Sequence, residues 1–176
     1  EIGTESYVAV CGYEPEFIKI ENMAIGSSLT LENPPNKRYK GESSHALING
    51  MGGTINYQDK SWQGFEAEDL IAIIDLGSAK TINAVEVRFL QSQVFWIFLP
   101  YHIQIEHSYD GKNFELIYED FPNNDFSFEQ KIISYKANLD PLESRFIRVK
   151  GYNIDQCPDY HPGAGGPSWI FSDEII

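Results

Sequence analysis

The sequence predicts an all-β protein, an antiparallel β-sandwich of jelly-roll type. Three observations point there. Apolar and polar residues alternate over short runs, clusters of Gly, Pro, Asn and Asp punctuate those runs, and no segment of helical period exceeds about ten residues. Counting the runs gives roughly seven to nine short strands, the pattern of a two-layer sandwich rather than of βαβ units.

The organising stretch is LIAIIDLGSAKTINAVEVRFLQ, from Leu70 to Gln91. Its apolar run Leu70-Ile71-Ala72-Ile73-Ile74 is short, rich in β-branched isoleucine and followed by Gly77, which favours a buried strand over a helix segment. Ser78-Ala79-Lys80-Thr81 then reads as a tight turn, and Val85, Val87 and Phe89 share one face of a second, half-buried strand, so that the whole forms a central hairpin.

The remaining elements follow in chain order. Residues 1–21 carry Gly3, Gly12 and Pro15 among short apolar pairs and are expected to be a leader or linker from a preceding domain, with one edge strand at most near Ile18. The domain proper is expected to span residues 22–176. Leu29-Thr30-Leu31 is a short strand closed by Asn33-Pro34-Pro35-Asn36. Residues 37–69 hold five glycines and read as a long irregular stretch, and loops of that length inside a compact domain are usually functional. Residues 92–100, SQVFWIFLP, place three aromatics before a proline that ends the segment. Residues 101–108 alternate, with Ile103 and Ile105 inward and Gln104 and Glu106 outward. Asp110-Gly111 marks a hairpin into the strand that begins at Phe114, because that pair readily supplies a positive φ. Residues 130–138 and 145–150 are read as two further strands. The loop 151–168, with three prolines and four glycines, precedes a closing strand from Trp169 to Ile176.

Composition limits the function. The 176 residues suffice for one domain with a sizeable core, and 42% hydrophobic against 22% charged residues excludes a disordered tail. Thirteen Lys and Arg against twenty-six Asp and Glu give a net charge of −13, which repels a phosphate backbone or an anionic bilayer, so neither nucleic acid nor membrane insertion is expected. Cys11 and Cys157 lack the CxxC spacing of a zinc ribbon or dithiol site; they either pair in an oxidising compartment or remain two free thiols. His102 and His107, five apart on a strand, face opposite sides and do not share a metal ion. No GxSxG, HExxH or GxxxxGK[ST] motif occurs, and no spacing opposes two of Glu66, Glu68, Asp69, Asp173 and Glu174 across a scissile bond, so no catalytic residue is assigned.

The order Asn22-Met23-Ala24-Ile25-Gly26-Ser27-Ser28, Ala46-Leu47-Ile48-Asn49-Gly50, Trp62, Ile74-Asp75-Leu76-Gly77, Ser108-Tyr109-Asp110-Gly111, Phe146-Ile147-Arg148-Val149 and Asp173-Glu174-Ile175 resembles the factor V/VIII type C, or discoidin, domain over about 155 residues. Within that superfamily, Arg88-Phe89-Leu90-Gln91, residues 96–100 and residues 161–171 resemble the non-catalytic C-terminal module of bacterial family 20 β-hexosaminidases (chitobiases), itself similar to family 32 carbohydrate-binding modules. The resemblance implies a galactose-binding-like jelly roll with ligand loops at one end, a catalytic domain in the same parent chain, and a periplasmic, cell-surface or secreted location. It also implies a structural Ca2+ at the positions matching Asn49, Thr54 and Glu174; asparagine at the first offers a neutral oxygen where the family pattern has a charged one.

A sugar ring presents a flat C–H face and a rim of hydroxyls, so it needs an exposed aromatic plane flanked by polar groups. The loops supply Trp96, Trp62 and Trp169, with Tyr57, Asp59 and His161 close in sequence. Trp96 is the first expectation for the stacking plane and His161, in a Gly-Pro loop, for a hydrogen-bonding partner; Trp62 and Trp169 can instead be plugs. The expected function is a non-catalytic module that tethers a hydrolase to N-acetylhexosamine- or galactose-containing glycans. The alternatives are a spacer that packs on the catalytic domain, with its tryptophans buried, or a discoidin-type protein or lipid binder using Phe95-Trp96-Ile97-Phe98-Leu99.

Overall fold

A computed structural model describes residues 18–124 and 126–176. Its elements are β1 (Ile18–Lys19), β2 (Ser28–Leu31), a short 3-10 turn (Ala46–Ile48), β3 (Met51–Gly52), β4 (Gln63–Glu66), β5 (Leu70–Gln91), a second 3-10 turn (Gln93–Phe95), β6 (His102–Ser108), β7 (Glu115–Asp120), β8 (Lys131–Tyr152) and β9 (Trp169–Ile175). Strands dominate and run antiparallel, as the alternation predicts. Among the described residues no helix is long and apolar enough to cross a membrane.

β5 and β8 are each 22 residues long and pair with each other along most of that length. Their two halves belong to different layers. The first half of β5 joins β2, the second half of β8, β6 and β7; the second half of β5 joins β9, β4 and the first half of β8. Side chains from the two inner faces meet in one core. Leu70, Ala72, Ile74, Ile103, Ile105 and Val149 come from the first layer, and Phe65, Val85, Val87, Phe89, Ile170 and Ile175 from the second. Burying each large aliphatic or phenyl group contributes roughly 1.5–3 kcal/mol.

The central hairpin expected between Ile74 and Val85 is not formed. Asp75 lies opposite Phe146 and Lys80 opposite Ser144, so Leu76, Gly77, Ser78 and Ala79 face Arg145 alone, and the chain continues along the same partner. This is an extended bulge. It bends β5 from one layer into the other, as bulges do at sandwich corners. Gly77 at φ 81° gives the bend its positive φ, its N–H donates to Asp75 Oδ1 (2.8 Å), and Arg145 closes the bulge by a bidentate pair to Asp75, both contacts at 2.8 Å. That guanidinium holds the Asp75 carboxyl below its usual range.

Residues 130–138 and 145–150 are likewise one strand, β8, rather than two. The irregular stretch 37–69 contains the first 3-10 turn, β3 and β4. Ile18 and Lys19 pair with Gly52 and Met51. The Asp110-Gly111 turn forms as expected, with Gly111 at φ 71°. Lys112 and Asn113 donate to Asp110 Oδ1, each at 2.8 Å, which holds that carboxyl far below its ordinary range, the Asn113 amide most of all. Ile103 and Ile105 point inward, fully buried. Glu106 is on the outer face, yet Lys150 Nζ (3.0 Å) and Arg148 cover it. Cys157 is buried; its pairing with Cys11 concerns a residue outside those described.

Candidate functional site

At one end of the sandwich three loops and β9 enclose a hollow of about 180 Å³ lined by Arg38, Tyr39, Tyr57, Phe95, Ile97, Trp169 and Phe171. Each wall is set by local bonding. The Tyr39 carbonyl accepts from Gly64 N–H of β4 (2.8 Å), which fastens the 37–40 segment to the sheet. Tyr57 sits in a loop closed by Asp59, whose Oδ2 accepts from the Thr54 amide (3.0 Å) and from its hydroxyl. Phe95 ends a 3-10 turn stopped by Trp96 in the left-handed region at φ 66°. A non-glycine residue there costs on the order of 1–2 kcal/mol. The surroundings hold it: Trp96 N–H donates to Gln93 O (2.8 Å) and Trp96 O accepts from Trp169 N–H (2.9 Å).

The rings meet edge-on or tilted. Tyr39 and Trp169 have centroids 5.4 Å apart at 89°, and Tyr57 lies 4.6 Å from Phe95. Such pairs contribute about 0.5–1.5 kcal/mol beyond area burial and fix ring orientation. Beneath them is a second core of Trp62, Leu90, Ile97 and Phe171, separate from the main one. Trp62 Nε1 donates to Thr54 O (3.0 Å), and Gly53 lies flat on the indole, where a Cβ would stand 2.6 Å from it.

Two of the sequence candidates, Tyr57 and Trp169, line the hollow. Trp62 does not: at 1% exposure it is the plug beneath. Asp59 braces Thr54. Trp96 is 36% exposed beside the hollow; its indole lies on Gly163 and Gly166 and meets His161 edge-on at 6.1 Å. His161 is buried at 5% exposure, and both ring nitrogens are engaged. Nδ1 accepts from Gly163 N–H (3.0 Å) and Nε2 donates to Gln93 O (2.7 Å), an arrangement that requires the neutral Nε2–H tautomer. The expectation of a ligand donor is corrected to a latch between the 161–166 and 92–97 loops. Sequence reading missed Arg38 and Tyr39, and placed Phe95 only in the protein- or lipid-binding alternative. The signals were present, in the basic run Lys37-Arg38-Tyr39-Lys40 and in the aromatic neighbour of Trp96.

The residues expected to hold Ca2+ are each committed locally. Asn49 Oδ1 accepts from Met51 N–H (2.9 Å), the Thr54 hydroxyl donates to Asp59, and Glu174 Oε1 accepts from Asn22 Nδ2 (2.7 Å) and Gly50 N–H (2.9 Å). Of these side-chain oxygens only Glu174 Oε2 is buried without a partner. Calcium takes about six to eight oxygen ligands. As placed, the three residues do not fit the ion, and among the described residues no group of three or more His, Cys, Asp or Glu could hold one. The neighbouring Asp173 accepts from Gly53 N–H (2.6 Å) and pairs with Arg88 (3.1 Å). Burial outweighs these contacts, pushing Asp173 up to about 6 and Glu174 up to about 7. As adjacent strand residues the two acids point to opposite faces, so they do not oppose each other across a cleft as a glycosidase pair must.

No protein-family model matches the chain, and no curated protein matches it. Solved structures do match. A module of Clostridium perfringens described as CpGH89CBM32-6 aligns at TM-score 0.51 and 18% identity, over 88% of this chain and 96% of that one. Chitosan-binding module 1 of a chitosanase/glucanase from Paenibacillus sp. IK-5 aligns at 0.53 and 15%, over 88% and 96%. A GH29 fucosidase of Ruminococcus gnavus aligns at 0.57 and 15%, over 88% of this chain and 26% of the fucosidase. At these identities the likeness concerns the fold alone, an antiparallel β-sandwich.

Proposed function

We propose that the chain is a non-catalytic carbohydrate-binding module and that the hollow between Tyr39, Tyr57, Phe95 and Trp169 takes a sugar ring. The observation that carries this reading is the hollow itself: half-exposed aromatic planes at the loop end, braced from below by their own small core, with a guanidinium at the lip. The apolar C–H face of a pyranose packs against such rings while its hydroxyls meet polar groups at the rim. Support comes from fold neighbours whose names include a chitosan-binding module and a CBM32 module. The wider context we infer is a bacterial β-hexosaminidase or chitobiase, secreted, periplasmic or on the cell surface, whose catalytic domain the module tethers to N-acetylhexosamine- or galactose-containing glycans. Tethering raises the local concentration of enzyme at its substrate without new chemistry.

A single shallow site gives about 4–6 kcal/mol, high micromolar to millimolar affinity. NMR titration with N-acetylglucosamine, galactose and chito-oligosaccharides should shift the Tyr57 and Trp169 resonances, and Trp169→Ala should abolish the response. Silence of those resonances with every sugar would overturn the reading. A second reading, docking on a protein surface, is favoured by one observation: Phe126, Phe128 and Tyr160 form an exposed aromatic group. Sedimentation of the module with its parent catalytic domain would reveal it.

A further inference from the structure

We infer that the hollow selects a sugar bearing an oxyanion, a uronate carboxylate or a sulfate ester, through Arg38; this rests on the carbohydrate-binding reading above. The chain has four arginines against twenty-six acids. Three of the four are tied to carboxylates within the fold: Arg88 to Asp173, Arg145 to Asp75, and Arg148 to Glu106. Arg38 is the exception. It is exposed, its guanidinium stands 5.2 Å from the Tyr39 ring centroid, and no carboxylate of the described residues pairs with it. Glu66, whose carboxylate reaches this loop, bonds Asn36 Nδ2 (3.0 Å) instead. Lys37 and Lys40, both exposed, flank Arg38 in sequence, and of this basic run in a chain of net charge −13 it is Arg38 that stands at the lip of the aromatic hollow.

The chemistry that matches is specific. A guanidinium stacked on a ring is pre-oriented, and its planar fork donates two parallel hydrogen bonds to an oxyanion. A ring against Tyr57 or Trp169 leaves an equatorial substituent able to reach the lip. The acidic remainder of the surface disfavours long polyanions, so the matching ligand is a short or sparsely charged glycan whose single acidic residue enters the hollow.

The test compares matched disaccharides by calorimetry at fixed ionic strength: one ending in glucuronate, its neutral glucose counterpart, and a sulfated form. The expected result is at least tenfold tighter binding of an acidic form than of the neutral one, falling to a ratio near one in Arg38→Gln and to an intermediate ratio in Arg38→Lys, which keeps charge but loses the fork. Preference for glucuronate or for sulfate supports the proposal and identifies the oxyanion. Equal or tighter binding of the neutral sugar, or an acid preference that survives Arg38→Gln, overturns it and leaves the carbohydrate reading standing. Failure of all three sugars to bind overturns it too, and the carbohydrate reading falls with it only if N-acetylglucosamine, galactose and chito-oligosaccharides are also silent.

Discussion

The molecule has two cores, and they are built differently. Between the layers, aliphatic side chains, Phe65 and Phe89 point inward from paired strands and are almost completely buried. Under the loops, Trp62, Leu90, Ile97 and Phe171 form a smaller core whose upper rings, Tyr39, Tyr57 and Trp169, remain part-exposed. The first core is secured by strand ladders. The second depends on loop contacts: Gly53 under Trp62, Asp173 on Gly53 N–H, and Glu174 on Gly50 N–H. Burial stabilises the fold, whereas incomplete burial leaves aromatic surface open, and of the two cores the smaller is the one whose rings stay part-exposed.

The largest effect is expected in the main core. Phe89→Ala should cost about 3–5 kcal/mol in urea unfolding, while the fraction that stays folded binds sugar with unchanged affinity; a lost affinity in folded protein would show that the two cores are not separable.

A pH series probes the acids that fasten the loops. Asp173 and Glu174 have folded values near 6 and 7, above their ordinary 3.8 and 4.5. The folded state therefore holds protons more tightly than the unfolded one, and stability falls as pH rises from about 4.5 to about 7, then levels. At about 1.4 kcal/mol per pH unit for each acid, the expected drop is several kcal/mol. Below about pH 4.5 the trend reverses, because Asp75 and Glu106, held low in the fold, lose their pairing on protonation. Glu174→Gln should flatten the upper limb of the melting-temperature profile, and added Ca2+ should leave the profile unmoved; a calcium-dependent rise would show that the loop rearranges into a cation site.

Smaller again is Gly53→Ala. Its Cβ would meet the Trp62 indole at 2.6 Å, so a loss of about 1–2 kcal/mol is expected, together with a change in tryptophan fluorescence and weaker sugar binding. The smallest stability effect, and the sharpest separation of the two roles, is expected of Tyr57→Ala: less than about 1 kcal/mol in unfolding but about tenfold in sugar affinity.

Much of the main core was legible, since Val85, Val87, Phe89, Ile103 and Ile105 are each read from alternation and each is buried. The corner of β5 was not. Gly77 after Asp75 signals a positive φ, but a turn that reverses the chain and a bulge that bends it use the same residue types, and only the partner strand distinguishes them. The site was legible in part. Tyr57 and Trp169 line it, but His161 looked available because the carbonyl that occupies it, on Gln93, lies 68 positions away. Arg38 and Tyr39 went unassigned because Tyr39 meets Trp169 and Phe171 only where β4 and β9 are neighbours, and Arg38 follows Tyr39 to the hollow.

Composition and two-residue alternation by themselves determined that the chain is acidic, globular and built of antiparallel strands, because a period of two is a local property that any burying sheet must respect. Tertiary structure decided which aromatics are plugs and which are walls. Trp62, Trp96 and Trp169 are alike in composition and loop context; their exposure is set by Gly53, by Gly163 and Gly166, and by Tyr39, residues brought beside them only when the loops close over the sandwich.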